Sequence, residues 1–363
     1  MANDDTLVVG AGPVGLVAAI ELARFGRPVR VIDKEARRTK LSKAVGVNVQ
    51  SLELLEPAGV TERLIAAGIR IRRADMWFDG RPLTSIDLSL VDHRYDFLLA
   101  LAQSETERVL EEVLTERGVQ VDRALALTTF SQTPDGVQAH LAPTDGAGET
   151  QLEVGCLLGA DGARSLVRET LDIPFLGARY DEHWSLADVS LDWRYGYDSV
   201  NLFLFRNGAV LFCVPIATDR IRAISQTAEV LELLPAGSSV TEVHWESKFH
   251  VALRQAERYQ QGRCFLAGDA AHVHSPAGGR GMNLGMWDAC SFAARAAAGT
   301  LDGYSAERHP IGERILAFTD RLFRIAGLKN RAAQLMRNGA MRSLGSLPPV
   351  QRRIAPNLLG IER

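Results

Sequence analysis

One run of six residues constrains this chain more than any other: Gly10-Ala11-Gly12-Pro13-Val14-Gly15. It follows the short apolar segment Thr6 to Val9 and precedes Leu16, Ala19, Ile20 and Ala23, which recur at helical spacing. Gly26 stops that helix and Pro28 bars its continuation. Val29 to Ile32 is a second apolar strand, ending on Asp33. The pattern predicts a β-α-β unit with parallel strands and a right-handed crossover. The first glycine permits the tight turn, the second lets backbone approach a pyrophosphate, and the third lets the helix pack close to the sheet. The helix start then offers free N–H groups and partial positive charge to an anion. Asp33 stands where a carboxylate binds two ribose hydroxyls and repels a 2′-phosphate. Glu35, beyond the strand end, reads as a solvated loop charge. A glycine-rich turn that merely needs its φ angles explains the glycines alone. It does not explain a strand, a helix, a second strand and an acid in register, so the reading is a dinucleotide site.

Two later glycine-rich corners also follow apolar strands. Val154 to Gly159 runs into Gly159-Ala160-Asp161-Gly162-Ala163-Arg164-Ser165, with Arg168 three residues on. Arg263 to Ala267 runs into Gly268-Asp269-Ala270-Ala271-His272 and on through Ser275-Pro276-Ala277-Gly278-Gly279-Arg280-Gly281-Met282-Asn283. Asp-Gly by itself is a common turn. A strand ending in Asp, however, can aim a carboxylate at a polyol, and a glycine-dense loop before a helix presents N–H groups to an anion or polarised carbonyl.

Composition narrows the classes. The 363 residues make two domains or one large one. A net charge of −3 lacks the basic surplus that nucleic acid or an anionic membrane selects. No apolar run reaches the roughly 18–20 residues of a membrane span. The acidic start, Met1-Ala2-Asn3-Asp4-Asp5, has no signal-peptide features. Cys156, Cys213, Cys264 and Cys290 are far apart, which argues against zinc or dithiol chemistry and fits a reducing cytoplasm. Ser51 to Ala67 reads as helix broken near Pro57, and Gln103 to Arg117 as an amphipathic helix ended by Gly118. Residues 119–160 read as hairpins and 184–250 as strand-rich. From Leu284 the pattern is helical to about residue 340, before a weakly structured tail with Pro348-Pro349 and Pro356.

The three corners, in this order and spacing, resemble the group A flavin-dependent monooxygenases, the para-hydroxybenzoate hydroxylase-like family of aromatic hydroxylases. Gln103-Ser104-Glu105-Thr106-Glu107, Lys43-Ala44-Val45-Gly46 and Leu52-Glu53 match it too, so the resemblance covers residues 5 to about 310. It implies an α/β fold: a discontinuous Rossmann-like FAD-binding domain (residues 1–70, 98–175 and 262–304), an inserted β-sheet substrate domain (71–97 and 176–261) and a C-terminal helical segment (305–363). By the same resemblance, Gly10, Gly12, Pro13, Val14 and Gly15 cradle the FAD pyrophosphate. Asp33, with Lys34 beside it, takes the adenosine ribose, and Lys43 and Gln103 approach the phosphate or ribityl region. Asp161 belongs to a motif linked to FAD and to NAD(P)H use. Gly268 and Asp269 meet the ribityl chain, and the backbone of Gly281, Met282 and Asn283 the pyrimidine edge. Pro276, Gly278 and Gly279 form the loop beside the reactive face. Lys43 stands where many members have Arg, and Arg280 where many have Gln. The second puts a cation near the active-site loop, with consequences for nicotinamide preference or substrate charge.

The implied activity is an FAD-dependent monooxygenase that consumes NADPH or NADH as a transient co-substrate. Through a flavin C4a-hydroperoxide it hydroxylates a phenolic or polycyclic aromatic ring, polyketides of antibiotic biosynthesis included. The protein must exclude water and move the flavin or a lid between half-reactions. Alternatives are epoxidation, Baeyer–Villiger insertion, or a non-catalytic flavin or ligand binder in a biosynthetic complex. The absence of Trp-x-Trp-x-Ile-Pro counts against a halogenase. Longer relatives carry a C-terminal thioredoxin-like domain, so the chain is expected to be a short or trimmed form. It is expected to be cytoplasmic and a monomer or homodimer.

Tyr95, Trp193, Phe203, Phe205 and Phe212 are candidate pocket residues, although alternating aromatics also simply fill a sheet core. His93 is a candidate proton relay, against the commoner structural role of a lone histidine. His272 and His274 suggest a metal, but no third ligand converges. Ser275 has no base in sequence and supports no hydrolase.

Overall fold

The computed structural model describes residues 4–39, 44–146, 148–274 and 279–361, with residues 179–182 described by backbone alone. Strand Thr6–Val9 is wholly buried, as expected of a strand covered by helices on both faces. Helix Pro13–Arg24 follows it, then strand Val29–Asp33. The pairing is parallel, with Leu7 opposite Arg30 on one side and Leu157 on the other.

These strands are the middle of a six-stranded sheet. Its order is Gln260–Gln261, Cys264–Leu266, Cys156–Gly159, Thr6–Val9, Val29–Asp33 and Val121–Arg123. The strands on the two sides of Thr6–Val9 continue in opposite directions through the sequence. That reversal opens a crevice at the carboxyl ends of Thr6–Val9 and Cys156–Gly159, where open α/β sheets bind ligands. Helix Pro13–Arg24 lies between helices Gln103–Glu116 and Gly281–Ala298.

An eight-stranded sheet stands beside it, drawn from Arg73–Asp87 and Phe175–Ala256, with His272–Val273 at one edge. Its spine is the antiparallel pair Phe175–Leu191 and Val240–Ala256. The architecture is the expected mixed α/β one, with inserted sheets and terminal helices.

Two local expectations are corrected. Val121–Arg123, expected in a hairpin, is an edge strand of the parallel sheet, and the hairpins begin only at Leu125. The tail is not weakly structured: Pro348–Leu358 is a helix. Pro348 and Pro349 fall in its first turn, where an N–H would have no helical partner, and Pro356 lies in its last turn. Among the described residues no helix is long and apolar enough to cross a membrane.

Candidate functional site

The three glycines of the first corner are required for three reasons. Gly10 has φ +105°, and a Cβ there would lie 2.4 Å from the Ala160 carbonyl oxygen. A Cβ on Gly15 would lie 1.9 Å from the Gly10 carbonyl oxygen. Gly12 is different. Its φ is −74°, open to any residue, and a Cβ there would meet no described atom within 4 Å. Neither backbone nor packing demands a glycine at Gly12; a phosphate close against the backbone would. The helix it precedes has no side-chain cap and no acid in its first turn, so its positive end is left for an anion.

Asp33 is held to the same loop. Its Oδ2 accepts the Ala11 N–H at 2.7 Å and its Oδ1 the Glu35 N–H at 2.8 Å. The half-buried carboxylate keeps lone pairs for two hydroxyls, whereas Lys34 and Glu35 are exposed. Gln103 donates its amide to Glu107 at 2.8 Å. Glu107 is buried, which raises its pKa; Gln103, Arg38 and Arg123 oppose the rise and Asp33 adds to it. Sequence reasoning passed over Glu107, although its spacing of four from Gln103 puts both on one helix face.

The other two corners are bolted to the first. Ala160 donates its N–H to the Val9 carbonyl at 2.9 Å. Asp161 is held above the usual carboxylate range by burial, and its Oδ2 accepts the Val167 N–H at 3.2 Å. Val14 points at the third corner: a Cβ on Gly268 would lie 2.7 Å from it, and one on Gly285 2.5 Å. Arg168, buried 4.0 Å from the Phe175 ring, donates to the carbonyls of Ala270 at 3.0 Å and Ala163 at 3.1 Å. It therefore ties the second corner to the third. Asp269 is exposed between buried Gly268 and Ala270, so its carboxylate faces out of the core.

Helix Gly281–Ala298 starts three residues before Leu284, where the sequence pattern turns helical, with no acid in its first turn. Asn283 was expected to act through its backbone, and its side chain has a separate task. Oδ1 accepts the Asn48 N–H at 2.9 Å and the Ser51 hydroxyl at 2.8 Å, while Nδ2 donates to the carbonyls of Gly46 and Gly279. Gly279 has φ +58°. Lys43, Ser275, Pro276 and Gly278 lie outside the described residues. Arg280, at the end of that loop, reaches toward the terminal helices. Its guanidinium lies 4.6 Å from the Phe318 ring and donates to the Asn357 carbonyl, both in the terminal helices.

The candidate pocket aromatics divide between two faces. Phe203 pairs with Leu211, and Leu202 with Phe212, so Phe203 and Phe212 point oppositely. Phe203, Phe205 and Trp193 belong to a filled core with Tyr195, Leu211 and Cys213. Phe212 joins Trp184, Trp245, Phe249 and the helical Phe323 on the other face. Val214, two residues on, packs into the main core that includes the parallel sheet, so Phe212 lies on the face turned toward that core. A buried ion pair sits on this face: Arg222 donates to both Asp188 oxygens, at 2.7 and 2.8 Å, and to the Ala44 carbonyl at 3.1 Å. Two charged residues at inward strand positions were the overlooked signal. Tyr95 is buried elsewhere, under the Arg94 guanidinium. His93 Nε2 lies 2.8 Å from Glu53, and His272 is buried against Asp288.

The chain is similar to known proteins along nearly its whole length. Residues 3–227 and 224–319 match a family model described as "FAD binding domain". The 6-methylpretetramide 4-monooxygenase of Streptomyces rimosus is 35% identical over 97% of this chain and 68% of its own length. The crystal structure of a p-nitrophenol 4-monooxygenase from Pseudomonas putida superposes with a TM-score of 0.90 over 99% of this chain and 98% of that one, at 24% identity. A Diels-Alderase of pyrroindomycin biosynthesis superposes with a TM-score of 0.83 over 99% of this chain and 81% of that one, at 30% identity.

Proposed function

The chain belongs to the group A FAD-binding monooxygenases, the para-hydroxybenzoate hydroxylase-like aromatic hydroxylases, and from that premise we propose that it uses NAD(P)H and O₂ to hydroxylate a phenolic or polycyclic aromatic ring. The observation that carries the reading is the convergence of the three corners on the crevice beside Gly12. In this reading residues 1–70, 98–175 and 262–304 hold FAD, 71–97 and 176–261 hold the substrate, and 305–363 buttress both.

FAD, when bound, supplies two-electron chemistry with the nicotinamide and activates O₂ for transfer of one oxygen atom to the ring. The chain's own contributions are positional and electrostatic. Gly12 and the start of helix Pro13–Arg24 receive the pyrophosphate. Asp33 accepts from the adenosine ribose, and Asp269 from the ribityl hydroxyls. The start of helix Gly281–Ala298 stabilises negative charge on the pyrimidine edge of the ring system. Phe212, Trp245 and Phe249 give the aromatic substrate an apolar wall and keep water away from it.

The test is direct. The purified protein is reconstituted with FAD, and NAD(P)H oxidation and O₂ uptake are followed with a panel of phenols and polycyclic aromatics. One of them should stimulate both and emerge with one added oxygen. Ring connectivity of the product separates hydroxylation from epoxidation or Baeyer–Villiger insertion. A protein that cannot take up FAD overturns the whole reading. FAD uptake without any aromatic-stimulated NAD(P)H oxidation favours the second reading, a flavin-fold ligand binder without substrate-coupled redox turnover. The 30% identity to a Diels-Alderase is the observation on its side.

A further inference from the structure

Helix Gly281–Ala298 carries an acid in its otherwise apolar interior. Asp288 is 0% exposed. Its Oδ1 accepts Nε of Arg308 at 2.8 Å. Its Oδ2 lies 2.6 Å from Nε2 of His272 and accepts the Gly268 N–H at 3.1 Å. His272 and Arg308 are buried as well. Burial alone would raise the Asp288 pKa, but His272 and Arg308 outweigh it and hold the carboxyl below the usual range. Nδ1 of His272 is buried with no hydrogen-bond partner among the described residues. Nε2 of His272 donates to one Asp288 oxygen while Arg308 holds the other.

The partners explain the geometry. Gly268 immediately precedes Asp269, and His272 stands three residues after it. Asp288 thus grips the third corner at both ends while riding on the helix that begins with Gly281. Along the helix axis the two lie about 10 Å apart at 1.5 Å per residue. From the other side the loop is closely packed: Gly268 has φ +60°, and a Cβ there would lie 2.7 Å from Val14. Removing Asp288 would orphan the buried Gly268 N–H at that closely packed point.

We propose that Asp288 is a positioning residue for the flavin site: it fixes the spacing between the Asp269 loop and the start of helix Gly281–Ala298. The inference rests on the functional reading above, which puts those two elements on the ribityl and ring portions of FAD. In this role Asp288 touches neither flavin nor substrate.

Asp288→Asn keeps the shape but replaces one accepting oxygen by a donor. FAD dissociation is measured by quenching of flavin fluorescence, and ADP dissociation by competition against FAD. ADP reports only the pyrophosphate–adenosine half around Gly12 and Asp33. The expected result is FAD binding weakened about tenfold or more, ADP binding within about twofold of wild type, and a displaced visible absorption band for the bound flavin. Parallel loss of FAD and ADP binding, or unchanged FAD binding with an unchanged band, overturns the proposal. If D288N does not fold, His272→Ala is put through the same pair of titrations and judged by the same outcomes. Failure of the wild-type protein to bind FAD would instead strike the functional reading itself.

Discussion

At Gly12 a single methyl group separates folding from binding. Nothing described stands where its Cβ would go, and its φ suits alanine. Gly12→Ala should leave the melting temperature unchanged or raise it, since glycine-to-alanine changes at compatible sites stabilise by about 0.4–1 kcal/mol. The same variant should lose FAD affinity about tenfold or more, because the methyl occupies the pyrophosphate's place. Gly15→Ala should behave oppositely, collapsing stability through the Gly10 carbonyl. Thermal melts and FAD titrations of the pair decide it. Glu107 offers a second single-residue test. Burial raises its pKa, so the folded state disfavours the ionised form. That cost is absent below the ordinary carboxylate range and grows as pH rises through the raised pKa. Glu107→Gln should therefore stabilise relative to wild type at pH 8 and not at pH 4, measured by denaturant melts at both. Asp33 was legible from its register at a strand end. Asp288 was not, because a charged residue in a helix is ordinarily solvent-facing. Only the apolar run around it, Leu284-Gly285-Met286-Trp287 and Ala289-Cys290, hinted otherwise.

At the scale of elements, alternation predicts that strands have two faces but not which face meets the ligand. Phe203 and Phe212 carry the same sequence signal, and cross-strand register sends them opposite ways. Phe203→Ala should cost about 3–5 kcal/mol of stability and leave the KM for the aromatic substrate unchanged in whatever protein still folds. Phe212→Ala, on a half-buried residue, should cost less stability and raise KM several-fold. Denaturant melts and steady-state kinetics of the two would separate core from chamber. The β-α-β unit was legible because its strands, helix and turn each carry a local signal. Helix Pro348–Leu358 was misread because proline is weighed as a breaker, whereas at a helix start it is favourable.

Across the whole molecule, the C-terminal segment is joined to helix Val49–Leu55 and to the eight-stranded sheet. Leu359 accepts the Val49 N–H at 3.0 Å, and Gln351 donates to the Ser85 carbonyl at 2.8 Å. Arg280 extends this brace from the flavin-side loop. Arg280→Gln should therefore lower stability by roughly 1–2 kcal/mol, read by a thermal melt. A changed NADH-to-NADPH preference with an unchanged melt would assign the charge to the active site instead. Pairings of this range were beyond sequence reasoning, because no periodicity links Arg280 to Asn357.

The wedging of Val14 between Gly268 and Gly285 has a consequence for biosynthesis. A nascent chain shows its first corner to solvent long before the third leaves the ribosome. At about 5–20 residues per second the interval is of order tens of seconds. Throughout it Val14 is uncovered and the cofactor cleft lacks a wall. On the functional reading above, flavin loading therefore follows synthesis of the third corner, and supply of the vitamin-derived cofactor acts on chains that already carry it.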